Sequence, residues 1–589
     1  MRRQVVASPP GWLAPLRARV PAPRRSLEQS SPAEQSPGTE TPPSVLPPAV
    51  IGRPRIIRSP FSITGAAFAA LFYCLSFTPS LLPRAWFLQG VVAGITAAMG
   101  YALGTGIGAL IRLRRPFGDR TVRVAWRILI AVVPLLVVVF LWLGSRWQRE
   151  VRVRLSMEPA QEYDVARTVG ASLLTFGLLL LIARTLLLAT YACAWLFRRI
   201  VSDRAAYCAG TVVVALLTYG ALDSLLVAQI FTMADRSAAV INNGTGNGVL
   251  VPTSVLRSGG PQSLVAWDSL GRQGRSFVAG APSREELSAF AGRPAAEPIR
   301  LYAGLTSATT LTDRAALVVR EMDRTGAFDR AVIAVITPTG TGWVDAKVTR
   351  SLEYMYAGDT ALISMQYSYL PSWAAFLGDR SEVVGAADAL ITAVQQRWAA
   401  MPERSRPKLL LFGESLGTYG LEKVFGTADR MVTGSDGVLM LGPTFANPIH
   451  RELTDARAEG SPVWAPHYPA LPVAFAENAA SLRDPGGTRP KAVYLQNATD
   501  PIVWWSWDLL WKKPSWLIGE RGPDVTPDMH WYPGITFWQT TCDLVFANQV
   551  PTGHGHVYKS ETADGWAAIA PPPGWTAFDT QRLRALLDG

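Results

Sequence analysis

Apolar positions along this chain follow two patterns, and the change from one to the other falls near residue 234. Before it, five long runs, at about 61–82, 87–111, 125–144, 169–195 and 205–232, reach or approach the roughly 20 residues a helix needs to cross a bilayer. Ile130 to Leu143 contains no charged residue, which argues against the alternative of a buried bundle in a soluble protein. Arg184 interrupts the fourth run and Asp223 the fifth. A charge inside a bilayer is costly unless paired, so either these two are partners across antiparallel helices or Arg184 snorkels to the end of its span. Residues 1–58 are rich in Pro, Ser and Arg without apolar periodicity and read as a disordered tail. The first apolar run begins too far from Met1 for a signal peptide, and no small-residue cleavage site follows it.

Beyond residue 234 the period shortens. Asn242-Asn243-Gly244-Thr245-Gly246-Asn247-Gly248 reads as a flexible join. Strand-like runs then appear at Pro298 to Leu305, Ala331 to Thr337, Ala361 to Tyr367, Lys408 to Phe412, Gly437 to Leu441, Ala492 to Gln496 and roughly Thr541 to Ala547. Between them lie helical stretches over Thr312 to Thr325, capped near Thr312 or Asp313, and over about 345–356, 381–400 and Leu416 to Phe425. This alternation predicts a mostly parallel sheet with helices on both faces. Three regions result: a tail over 1–58, an all-α transmembrane region of about five helices over 59–234, and an α/β region over 235–589.

Composition fits this division. The 49% hydrophobic and 17% charged content of the 589 residues averages two classes of chain. The net charge of +11 divides as well: residues 1–234 carry 25 Arg against 10 acidic residues, and the remainder 31 basic against 35 acidic. A nucleic-acid binder places its positive charge on the folded module that meets phosphate, so this distribution argues against that class. The Arg residues crowd the tail, the loop of Arg112, Arg114, Arg115, Arg120 and Arg123, and the loop of Arg198, Arg199 and Arg204. The loop after the first run has only Arg84, and that of about 145–168 mixes Arg with acidic residues. The positive-inside rule then puts the tail in the cytoplasm and, after five crossings, residues 235–589 outside it. A lipid bilayer is the expected partner. Cys74, Cys193, Cys208 and Cys542 form no CxxC or Cys/His spacing, so neither a disulfide framework nor a metal site is supported, and no cofactor is implied.

Candidate chemistry centres on Lys408 to Phe412 running into Gly413-Glu414-Ser415-Leu416-Gly417. A buried strand, a sharp turn and a helix in succession expose a serine hydroxyl at the sheet's edge, with Gly413 and Gly417 permitting close backbone approach. The Leu416 N–H then points at a developing oxyanion. Asp500, in Asn497-Ala498-Thr499-Asp500-Pro501, follows the strand Ala492 to Gln496, where an orienting acid belongs; Asp436 precedes its strand and Asp508 lies too far past one. Of five histidines, His450, His467 and His530 precede or sit inside surface excursions. His556, in Gly553-His554-Gly555-His556-Val557-Tyr558, is the candidate base, with His554 the alternative. A second oxyanion donor is expected from Thr339 or Gly340, in the Gly-rich loop Thr337 to Trp343. Seven of the 20 Trp fall in residues 504–538, between the acid and the base, and read either as core or as a cap that faces lipid or substrate.

Together with Trp267-Asp268-Ser269-Leu270-Gly271, these motifs make the chain resemble a family of actinobacterial membrane proteins whose catalytic half is an α/β-hydrolase. Ser269 is no rival nucleophile, since no strand feeds its turn. The resemblance implies an α/β-hydrolase fold after the transmembrane helices and the triad Ser415, Asp500 and His556. The expected chemistry is hydrolysis of an ester or thioester, on a lipid or acylated cell-envelope molecule, through an acyl-serine. An acyltransferase using the same triad and a non-catalytic membrane scaffold on a hydrolase fold are the alternatives.

Overall fold

The computed structural model describes residues 61–114, 118–159, 164–222, 240–370, 380–476, 482, 489–558 and 561–588. The tail over 1–58 lies outside them, as does Asp223 with its expected pairing to Arg184. Five helices open the described chain: α1 (Ile63–Leu75), α2 (Trp86–Arg114), α3 (Asp119–Arg154), α4 (Val165–Phe197) and α5 (Asp203–Gly220). Among the described residues α2, α3 and α4 are long and apolar enough to cross a membrane. The first expected span, 61–82, is corrected: α1 has 13 residues and stops at Leu75. Pro79 and Pro83 cannot continue a helix, and the Ser76 and Thr78 hydroxyls turn back onto the carbonyls of Tyr73 and Leu75. The fifth run is helical to Gly220, and its part beyond residue 222 lies outside the described residues.

Helix α2 is the hub of this half. Gly90 and Gly94 face α4, and Gly100, Gly104 and Gly108 face α1; a Cβ on Gly94 would fall 2.5 Å from Thr175 Cβ, and one on Gly104 2.4 Å from the Thr64 carbonyl oxygen. Residues four apart lie on one helix face, so each row of glycines lets a neighbouring backbone come close.

The second half is built on seven parallel strands: β1 (Ile299–Ala303), β2 (Val332–Thr337), β3 (Thr360–Met365), β4 (Lys408–Glu414), β5 (Gly437–Leu441), β6 (Val473–Ala476) and β7 (Ala492–Leu495). Their order is β1-β3-β2-β4-β5-β7-β6, with β4 central. Successive side chains point to opposite faces, and both faces are covered. Leu409 and Leu411 pack with α7 (Leu311–Thr325), α9 (Ser381–Ala399), α10 (Leu416–Phe425) and α11 (Pro448–Asp455). Leu410 and Phe412 pack with α6 (Gly271–Ala279), α8 (Ala346–Met355), α13 (Glu561–Ile569) and α14 (Ala577–Asp588). Each such fully buried side chain contributes about 1.5–3 kcal/mol, which fixes the register of β4 and hence the height at which it ends.

Two sheet-half expectations are corrected. Thr541 to Ala547 is not a strand; it belongs mostly to α12 (Ile535–Val545). That helix buries Thr536, Gln539, Thr540 and Asp543 at helical spacing, a polar stripe that apolar periodicity does not detect. The cap of α7 is Thr310, whose side chain accepts from the Asp313 N–H, rather than Thr312 or Asp313. The halves meet where Leu81, Leu82, Val151 and Leu155 pack with Trp504, Trp505 and Trp516.

Candidate active site

At the carboxyl end of β4 the chain turns sharply into α10 through Ser415, which holds φ 52° and ψ −119°. A non-glycine residue there is strained, and strain persists only where its surroundings enforce it. The Ser415 N–H donates to the Leu441 carbonyl on β5 (2.8 Å), and its own carbonyl accepts from the Thr418 N–H (3.0 Å) and hydroxyl (2.6 Å). Gly417 passes so near β2 that a Cβ would fall 2.2 Å from the Thr337 carbonyl oxygen. Gly413 is equally confined, with Thr418 Cα 2.9 Å from the same imagined atom.

Asp500 caps the short helix Pro501–Trp504 just past β7, its Oδ1 accepting from the Ile502 N–H (2.9 Å). Its Oδ2 meets His556 Nδ1 at 2.6 Å and accepts from the Tyr558 hydroxyl at 2.7 Å. A carboxylate oxygen only accepts, so Nδ1 carries the proton and Nε2 is left with a lone pair. Burial, and after it the Asp500 charge, push the Tyr558 phenol well above its ordinary value, which keeps it a donor. Sequence reasoning missed this role of Tyr558; only its place two residues past His556 hinted at it.

One backbone unit joins serine and histidine. Leu441 receives the Ser415 N–H, and the next residue, Gly442, leaves room for the imidazole: a Cβ there would fall 2.4 Å from His556 Cε1. His554 has a different partner, Asp524, whose Oδ2 lies 2.8 Å from Nδ1 and also accepts from the Thr499 hydroxyl (2.6 Å). His556 is thus the histidine bonded to the acid beyond β7.

A sequence model described as the alpha/beta-hydrolase family matches residues 299–583, and one for the N-terminus of that family matches residues 77–282. The chain belongs to an alpha/beta-hydrolase family. No curated protein and no solved structure matches it. The seven-stranded parallel sheet with helices on both faces is the α/β-hydrolase fold.

In this α/β-hydrolase fold, the loop after β2 is tied down by the Tyr302 hydroxyl on the Gly342 carbonyl (2.8 Å) and the Tyr367 hydroxyl on the Pro338 carbonyl (3.2 Å). The expectation for Thr339 is corrected here, because its N–H closes a turn onto the Trp343 carbonyl (3.0 Å). Glu414, beside the serine, is buried with Oε2 unbonded; burial, then the Asp345 carboxylate, push it well above the usual carboxylate range. His450 is also corrected from surface to core. It lies buried on α11 with Nε2 2.6 Å from Gln496 Oε1, and burial pushes it down to about 4. His467 and His530 are exposed. The Trp-rich segment divides: Trp504, Trp505 and Trp516 are buried, whereas Trp507 and Trp511 are 58% and 64% exposed. Asp436 bonds the Leu409 N–H (2.8 Å) at the entry of β4, the edge opposite the serine.

Proposed function

We propose that the protein is a membrane-anchored serine hydrolase that cleaves an ester or thioester of a lipid or cell-envelope molecule. The observation that carries this reading is the 2.6 Å contact of Asp500 with His556, whose ring packs on Gly442, the residue after the one that anchors the N–H of a serine held in a strained elbow. In this reading, His556 Nε2 takes the proton from Ser415 Oγ as the oxygen attacks the acyl carbonyl. The Leu416 N–H, at the first position of α10 and without an intrahelical acceptor, stabilises the oxyanion, with a second donor from the loop after β2. The tetrahedral intermediate expels the alcohol or thiol, which takes the proton back from Nε2. His556 then removes a proton from water, whose oxygen attacks the acyl-serine; collapse of the intermediate releases the acid and expels Ser415 Oγ, which takes that proton back from Nε2.

The helical half supports anchoring and orientation. The start of α2 and the end of α3 lie on the side of the sheet half, and their other ends carry Arg112, Arg114, Arg120 and Arg123. The sheet-side end of α3 also carries Arg146, Arg149, Arg152 and Arg154 but beside Glu150 and Glu158, so by the positive-inside rule the loop joining α2 to α3 is cytoplasmic and the catalytic half extracytoplasmic. A fluorophosphonate probe applied to membranes tests the chemistry. Wild-type protein is expected to be labelled and Ser415→Ala to remain unlabelled; equal labelling of the two, or none of either, would sink the reading. Labelling of intact cells by a membrane-impermeant probe tests the orientation.

A further inference from the structure

The turn of residues 553–557, which carries both histidines, rests on two supports that lead back to the helical half. The first is α12. The His556 N–H donates to the Ala547 carbonyl (2.8 Å), two residues past the end of that helix. The loop between α1 and α2 docks on the polar stripe of α12. Asp543 accepts from the Ser80 hydroxyl (3.0 Å) and from the Leu81 (3.1 Å) and Leu82 (3.4 Å) N–H groups. Gln539 Nε2 donates to the Ser76 (3.1 Å) and Thr78 (2.8 Å) carbonyls. From the loop side, Arg84 Nη2 donates to the same Thr78 carbonyl (2.8 Å), and the Arg84 N–H to Gln148 Oε1 on α3 (2.8 Å). Every side chain in this joint is buried. Leu82 completes it, with Cδ2 3.5 Å from where a Cβ on Gly555 would fall.

The second support is Asp524, which holds His554 and, through Thr499, the Gly555 N–H (3.1 Å from Thr499 Oγ1). The segment that carries Asp524 is tied to α3, by the Thr526 hydroxyl on Glu150 (2.9 Å) and by Trp147 Nε1 on Asp528 (2.8 Å).

We propose that the helical half is a working part of the catalytic site: its loop of residues 76–84, seated on α12, sets the position of His556, with Asp543 as the positioning residue at the centre of the joint. This inference rests on the serine-hydrolase reading. Its physical basis is that Asp543 gathers three donors of the loop at a buried joint, so that loss of its carboxylate leaves buried donors unpaired and frees the helix to shift. A displacement of about 1 Å at a catalytic group can cost about 100-fold in rate.

The test uses the full-length protein in detergent and a fluorophosphonate, with the rate constant of labelling separated from the fraction finally labelled. Asp543→Asn and Leu82→Ala are expected to lower the rate constant about tenfold or more while the labelled fraction stays at the wild-type level. Ser80→Ala, which removes one of the three donors, should have a smaller effect. In a His556→Ala background Asp543→Asn should change the residual rate no further, since it acts through that histidine. A fall in labelled fraction at an unchanged rate constant, or an equal further loss in the His556→Ala background, would make Asp543 structural only and overturn the inference. If Asp543→Asn does not fold, Leu82→Ala decides alone. Wild-type protein that resists the probe would instead fail the hydrolase reading first, a result distinct from either.

Discussion

Ser415, bonded to Leu441, and His556, packed against the next residue Gly442, rest on foundations of opposite kinds. The serine is held from within the sheet: β4 is flanked by β2 and β5, the elbow bonds to β5, and Gly417 rests on the end of β2. The histidine sits on a turn whose supports come from Asp500 beyond β7, from α12, and through α12 from a loop more than 450 residues earlier in the chain. One partner of the site is thus built by local folding and the other by assembly of distant parts. Damage to the first should cost structure, and damage to the second should cost rate.

The largest test of this contrast is Asp500→Asn. It keeps the size of the group but reverses the demand on His556 Nδ1, and the rate constant of fluorophosphonate labelling is expected to fall about 10⁴-fold in folded protein. A paired glycine experiment comes next. Gly417→Ala places a Cβ against the Thr337 carbonyl oxygen, a backbone atom that cannot swing aside, so the expected outcome is loss of folded protein on size-exclusion chromatography. Gly442→Ala places its Cβ against the movable His556 ring, at a residue with φ 57°, and is expected to leave folded protein labelled about 100-fold more slowly. If the two outcomes were exchanged, the contrast would be wrong.

The smallest expected effect is one of pH. Glu422 lies on the buried face of the nucleophile helix α10, accepting from the Ile449 N–H (2.7 Å) and the Tyr494 hydroxyl (2.9 Å), and burial raises it to about 7. A carboxyl raised in the folded state contributes stability that is present below its unfolded value and lost as pH rises through about 7. His450, lowered to about 4, acts in reverse: its contribution is present above its unfolded value and is lost as pH falls through about 4. Glu422→Gln should therefore gain in melting temperature on wild type as pH is raised from about 5 to about 8, with little change in labelling rate at fixed pH. A gain that shrank over that range would contradict the assignment.

The same contrast explains what could be read in the sequence. The elbow, its strand and its helix were legible, because Lys408 to Phe412 alternates between two buried faces and Leu416 to Phe425 follows without a break. Asp500 and His556 were legible by order along the chain. What supports His556 was not, because the buried face of α12 carries Thr536, Gln539, Thr540 and Asp543, so the end of this helix reads as a short strand, Thr541 to Ala547, rather than as an amphipathic helix. The early end of α1 was signalled by Pro79 and Pro83, yet Leu81 and Leu82 kept the apolar run going, and they are buried against protein from the other half. The glycine rows of α2, at four-residue spacing, were in plain view and are explained only by the neighbours they admit.

The bond between Ser80 and Asp543 closes 463 residues of chain. Chains emerge from the ribosome N-terminus first, so the loop that steadies the histidine is made long before the helix it must meet. The nucleophile elbow is complete while that meeting is still pending. During synthesis, the support of the histidine turn is therefore completed only after Asp543 has emerged to meet a loop made long before it.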